Sequence, residues 1–261
     1  MKTSNVIAKK KLGQNFLVDQ KVIKAIVDAV VSSNELSYFE IGPGTGALTV
    51  PVSKLVKKLT VIEIDTELVA RLTPWLSPDV NIINQDFLKF DLTKNVNSNS
   101  VMFGNLPYYI TTEIIEKIFT YSNRINYAVV MIQKDVADKI ISNKKGKDMS
   151  YLVLLVNYVF NPKVIIEVSK NSFIPKPNVD SSVLKLETKN NLSTKNFEKF
   201  KTTLIGLLKQ RRKTLNNNLK DMNITTSVLK RIKDLVPDLN LRVETLNPEL
   251  IYRLIEIIIE D

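Results

Sequence analysis

The 261-residue chain contains no cysteine and no histidine. The first absence excludes a disulfide framework, and the two together exclude the usual Cys/His zinc sites. Any chemistry here must run without a thiolate or an imidazole. Long apolar runs are also missing. The longest, Leu152 to Phe160, is interrupted by Asn157, far short of the roughly 20 residues that a membrane span needs. The opening stretch MKTSNVIAKKKLGQNFL lacks the apolar core of a secretory signal. These absences predict a cytoplasmic chain with no membrane contact and no metal, with a monomer as the default. There is no internal repeat and no low-complexity segment. Arginine is scarce, at seven residues against 30 lysines, yet two of the seven are adjacent at 211–212.

What is present suits a folded protein. Hydrophobic residues make up 44% of the chain, enough for a substantial core. The length fits one large domain, or a medium domain plus a smaller one. The net charge of +10 is unevenly spread. Residues 1–24 hold six lysines and one aspartate, residues 190–261 hold 13 basic and nine acidic residues, and the middle is nearly neutral. Such ends serve either as a solubilising surface or as a footprint for a polyanion. The stretch 195–220, with eight basic residues and one acidic, favours the footprint.

Apolar spacing at Val22, Ile23, Ile26, Val27 and Val30 predicts a helix over 20–33. Strands are expected at 38–41, 59–64, 80–83, 101–104 and 127–132, and later at 163–168 and 182–187. Helices are expected at 47–56, 66–76, 112–119 and 134–142. This alternation predicts an α/β fold with a mainly parallel, Rossmann-like sheet covered on both faces. From about 193 the pattern becomes helical. Phe197, Phe200, Leu204, Leu207 and Leu208 share a face that Leu215 and Leu219 continue, and 248–260 forms an apolar tail helix. A boundary is expected at 188–192, separating a domain at 1–188 from a small all-α domain at 193–261.

Polar residues and glycines gather where the strands end, which is where open α/β sheets bind ligands. Glu40-Ile41-Gly42-Pro43-Gly44-Thr45-Gly46 is a glycine turn between strand and helix. It lets a ligand approach the backbone beside free helix N–H groups. With Ala47 it also fits the dinucleotide pattern Gly-x-Gly-x-x-Ala, so a nicotinamide enzyme and a purely structural turn are both alternatives on this segment alone. Glu63 ends the second strand, where a carboxylate accepts hydrogen bonds from ribose hydroxyls, with Asp65 as a near alternative. Asp86 ends the third, where an acceptor would meet an adenine amino group.

Asn105-Leu106-Pro107-Tyr108 ends the fourth strand. The exocyclic N6 of adenine is a poor nucleophile because its lone pair is delocalised into the ring. An amide oxygen from Asn105 and the carbonyl of Leu106, fixed before Pro107, would both accept from that amine and favour a pyramidal nitrogen. Tyr108 offers a flat face to an extruded base. No general base has to act before transfer, which suits a chain without histidine. The Pro-rich stretch from Phe173 to Ser181 would supply a second wall through Phe173, unless that ring is simply core.

With these segments in view, the chain resembles the ribosomal RNA adenine dimethyltransferase family over nearly its full length. The matching stretches are Gln14-Asn15-Phe16-Leu17 with Asp19, Glu40 to Gly46 with Leu48-Thr49, Asn105 to Tyr108, and Phe173 to Ser181. Gln210 to Leu219 and Leu241 to Leu246 resemble the bacterial small-subunit branch more than the macrolide-resistance enzymes of the large subunit. The resemblance implies a class I methyltransferase fold that uses S-adenosylmethionine to dimethylate two adjacent adenines near the 3′ end of 16S rRNA, in the 30S subunit or its precursor. It implies donor contacts from Asn15, Leu17, Gly42, Glu63, Asp86 and Asn105, beside Gly44 of the turn. A large-subunit enzyme and an assembly factor without catalysis are the alternatives. The family often has a smaller residue where Phe87 stands, and a more basic run where Asn216 to Asn218 stand. RNA contacts are expected from Lys9, Lys10 and Lys11 and from Arg211, Arg212 and Lys213, because arginine grips phosphate bidentately where lysine acts as a point charge. Changing Arg211→Ala and Arg212→Ala together is expected to lower rRNA affinity and flatten its salt dependence in binding titrations. Unchanged affinity and salt slope would remove the role assigned to that pair.

Overall fold

A computed structural model describes residues 7–32, 36–96, 99–189, 197–210 and 213–260. Arg211 and Arg212, the Lys10 side chain and residues 190–192 of the expected boundary lie outside the described residues.

Among these, seven strands form one sheet in the order β4-β3-β2-β5-β6-β9-β7. They are β2 (Ser37–Ile41), β3 (Leu59–Glu63), β4 (Asn81–Asn84), β5 (Ser100–Asn105), β6 (Ile125–Gln133), β7 (Phe160–Val168) and β9 (Ser181–Thr188). The first five run parallel, and β9 pairs antiparallel with both β6 and β7. The central strands are buried nearly throughout, so they read as continuous apolar runs rather than alternating ones. A separate two-stranded ladder joins β1 (Phe16–Leu17) to β8 (Phe173–Ile174).

The helix α1 (Gln20–Val30) buries the five apolar residues that its spacing predicts. It ends before residue 33, the expected limit. Asp19 caps it by accepting from the Lys21 and Val22 N–H groups. The helix expected at 47–56 is the shorter α2 (Thr49–Ser53). The remaining helices between strands are α3 (Thr66–Leu72), α4 (Leu92–Asn95), α5 (Thr111–Thr120), α6 (Lys134–Ser142) and α7 (Tyr151–Val159). The last was not assigned from sequence. Six of its nine residues are buried, and a helix that is apolar all round shows no 3.6-residue period.

The C-terminal helices are α8 (Phe197–Leu208), α9 (Leu215–Asp221), α10 (Thr226–Leu235) and α11 (Pro248–Ile259). Leu215 and Leu219 belong to α9 rather than to a continuation of α8. These helices pack onto α5 and α7 through aromatic contacts. Phe119 meets Phe197 at 4.6 Å between ring centroids, Tyr158 stacks on Phe200 at 3.9 Å, and the Tyr252 hydroxyl donates to the Leu154 carbonyl at 3.0 Å. One hydrophobic core runs continuously from the sheet into the C-terminal helices.

Strand order reverses at β2, whose neighbours are β3 on one side and β5 on the other. That switch point opens a crevice at the carboxyl ends of the strands. Gly104 sets the spacing there, because a Cβ at this position would lie 2.4 Å from the Ile41 carbonyl oxygen. Gly104→Ala is therefore expected to force β5 from β2 and cost about 1–3 kcal/mol, read as a lower denaturation midpoint.

Candidate active site

The crevice is a cavity of about 280 Å³, lined by the ends of β2, β3 and β5, the loop after β4 and the N-terminal segment from Leu12 to Leu17. The glycine turn forms its floor. Gly42 sits at φ +64° with nothing within 4 Å of where a Cβ would stand, so the backbone is bare on the cavity side. Gly44, at φ +56°, lies under the Phe16 ring, where a Cβ would come within 3.3 Å. The left-handed conformation and this close cover both require glycine.

Glu40, Glu63 and Asp86 line the cavity, and no lysine or arginine does among the described residues. Glu63 is buried, and its two oxygens accept from the Gly44 and Asp65 N–H groups at 3.1 and 2.9 Å. Each oxygen keeps accepting capacity for a ligand hydroxyl. Burial raises its pKa, and those N–H bonds partly offset the rise. Asp65, the alternative acid, is engaged elsewhere. It accepts from Lys9 Nζ at 2.7 Å and Gln14 Nε2 at 2.9 Å, and it caps α3 at the Glu67 N–H. Burial would raise its pKa, but these bonds outweigh burial and hold it below the ordinary value. Asp86 caps the following turn through the Leu88 N–H at 2.9 Å, leaving its second oxygen for a ligand. Glu40 is 1% exposed with an unpartnered Oε2, and burial, with Glu63 nearby, pushes its pKa to about 8.

Asn105 stands at the cavity end of β5. Its Nδ2 donates to the Asn15 carbonyl at 2.9 Å. A carbonyl can only accept, so the amide nitrogen must face Asn15 and the oxygen is the end left for a ligand. Leu106 is buried, and its N–H is tied to the Met131 carbonyl at 3.1 Å. The Pro107 carbonyl accepts from the Ile110 N–H and the Thr111 hydroxyl. The half-buried Tyr108 is braced by its hydroxyl against Ser181 Oγ at 2.6 Å.

Two expectations change. Phe173 does not line the cavity. It is 3% exposed, pairs with Leu17 across the β1–β8 ladder and belongs to the core with Val183. Inward alternation on β8 buries Phe173 and exposes Ile174, so the Phe173–Ser181 stretch reaches the site through Ser181. Lys9 is also not free for RNA, because its ammonium pairs with Asp65 and, at 3.2 Å, with Glu67. Lys11 and Lys213 are exposed, as RNA contacts would need to be.

The site contains a positioning residue that the sequence did not flag. Lys117 Nζ donates to the Phe87, Leu88 and Phe90 carbonyls at 2.6–2.8 Å. It thereby fixes the turn that carries Asp86 and Phe87. Burial lowers its pKa. Nothing in local sequence separates this lysine from a solvated one, because its partners lie about 30 residues away.

This sheet order and crevice place the fold among the class I methyltransferases. Comparisons with solved structures agree. A dimethyladenosine transferase from Plasmodium falciparum superposes with a TM-score of 0.77 at 24% identity, over 92% of this chain and 95% of that one. The 23S rRNA methyltransferase ErmE superposes with a TM-score of 0.68 at 23% identity, over 94% and 99%. The model of the family described as ribosomal RNA adenine dimethylase matches residues 5–260, and the chain belongs to that family. Two relatives are called ribosomal RNA small subunit methyltransferase A. One, from Bacillus pumilus, is 42% identical over 81% of this chain and 76% of its own length. The other, from Mycoplasmopsis pulmonis, is 40% identical over 95% and 97%.

The buried Glu40 generates a pH prediction. Its carboxyl keeps a proton in the folded chain up to about pH 8 but ionises near pH 4.5 once unfolded. Across that window the unfolded state binds fewer protons, so this group lowers stability as pH rises. Glu40→Gln is expected to flatten the decline in unfolding free energy between pH 5 and about pH 8 in urea titrations. Parallel pH curves for the two chains would contradict this assignment.

Proposed function

We propose that the chain transfers methyl groups from S-adenosylmethionine to the N6 of two adjacent adenines near the 3′ end of 16S rRNA, in the 30S subunit or its precursor. The small-subunit names of the relatives support this substrate over 23S rRNA. The cavity suits the donor. Glu63 and Asp86 on the lining, with no lysine or arginine among its described residues, favour a sulfonium ligand and disfavour the pyrophosphate of a nicotinamide dinucleotide. Bound there, S-adenosylmethionine would supply an electrophilic methyl on a positively charged sulfur. Glu63 would take the ribose hydroxyls, Asp86 the adenine end, the bare backbone at Gly42 and Gly44 the amino-acid portion, and Asn15 and Leu17 the covering side.

The observation that carries the reading is the fixed Asn105 amide. For the first methyl its Oδ1 and the Leu106 carbonyl would each accept one N6 hydrogen, drawing the amine toward a pyramidal geometry with its lone pair free; for the second, the one remaining hydrogen would keep one of these acceptors. Tyr108, braced by Ser181, would stack the extruded base, a contact worth about 1–3 kcal/mol. Neither Asn105 nor a backbone carbonyl takes a proton, so the extra proton on N6 after transfer leaves to water. Positioning carries much of the rate. We assign residues 193–261, with exposed Lys213 and the adjacent Arg211 and Arg212, to placing the rRNA, and exposed Lys11 to a further backbone contact.

Asn105→Ala is expected to lower methyl transfer to 30S particles by about 10²-fold or more, while S-adenosylmethionine binding by calorimetry stays largely intact. Near-normal methylation by this variant would refute the role of Asn105.

A further inference from the structure

Tyr108 and Tyr109 are neighbours in sequence but have opposite surroundings. Tyr108 is braced by Ser181. Tyr109 also lines the cavity, yet it is 58% exposed, and no group among the described residues bonds its hydroxyl. One side of its ring rests on Gly13, where a Cβ would come within 3.1 Å of the ring. Gly13 takes φ +61°, and its lack of a side chain is what lets the ring lie there. The ring is thus held on one side and open on the other, at the mouth of the crevice. Lys11, two residues before Gly13, is exposed.

We infer that the open face of Tyr109 is a second-nucleotide subsite, which stacks the base adjacent to the one whose amine lies at Asn105. This rests on the function proposed above. Extruding a base from single-stranded RNA strips its neighbour of a stacking partner. A flat, supported, solvent-facing ring at the cavity mouth replaces that partner, and stacking tolerates any base because every base has a π-face. Lys11 adds a charge that tracks the backbone. When two adjacent adenines are modified in turn, each serves once as target and once as neighbour, so one subsite holds the pair in register for both.

The test is a double-mutant cycle on kcat/KM for the first methyl. The wild-type chain and Tyr109→Ala are each assayed on reconstituted, unmethylated 30S particles carrying the two adjacent adenines, and on the same particles with one of the two replaced by an abasic nucleotide. Each single change is expected to lower kcat/KM about tenfold, within the range that one stacked base is worth. The two together should cost no more than either alone, and Tyr109→Phe should restore the loss. S-adenosylmethionine affinity should stay within about twofold, since the ring lies outside the donor's set of acids. Multiplicative losses near a hundredfold, or wild-type rates in Tyr109→Ala, would overturn the subsite while leaving the proposed function standing. Failure of the wild-type chain to methylate the intact particles would instead overturn both.

Discussion

One hydrogen bond orients the chemistry. The Asn15 main-chain carbonyl accepts from Asn105 Nδ2 at 2.9 Å, and a carbonyl has no hydrogen to give in return. The asparagine therefore offers its oxygen outward, as an acceptor for a ligand N–H or O–H. This constraint holds only if Asn15 stays in place, and several contacts far apart in sequence keep it there. Lys9 and Gln14 converge on Asp65, Phe16 lies over Gly44, β1 pairs with β8, and the Ser172 hydroxyl donates to the Asp19 cap at 3.0 Å. The N-terminal segment is thus part of the site wall, and the Pro-rich stretch near the other end of the sheet helps to anchor it.

The second physical theme is charge. A cavity lined by Glu40, Glu63 and Asp86, with no lysine or arginine among its described lining residues, is an unusual setting for a glycine-turn fold, where a phosphate commonly meets the helix N-terminus. A lining that carries acids and no cation among its described residues favours a positively charged ligand. Burial raises the pKa of Glu63 and Glu40, and a cation in the cavity would favour their ionised forms. Lys11 and Lys213, in contrast, are exposed.

Much of this was legible in the sequence. The ends of β2, β3 and β5 could be read because polar residues and glycines there interrupt apolar runs, and the topology then brings them to one crevice. Asn105 could be read because its chemistry has few other uses beside a proline. Other features depend on contacts that no local pattern encodes. The α7 helix is buried on all sides and carries no period. Lys9 sits in a run of three lysines that looks like a tail, but its partner Asp65 lies 56 residues away. Phe173 occupies a strand of two residues, too short for alternation to show which side faces the core. The choice between Glu63 and Asp65 needed the partners of each, since both acids sit at the same strand end.

The central claim is that the Asn105 oxygen and the Leu106 carbonyl hold the accepting amine. The most direct measurement is a crystal structure of the chain bound to S-adenosylhomocysteine and an RNA fragment whose target adenine keeps its unmodified N6 amino group. The account predicts N6 within about 3.2 Å of both oxygens, with the Asn105 nitrogen still on Asn15. A complex in which the asparagine turns its nitrogen to the base, or in which N6 lies away from both oxygens, would contradict it.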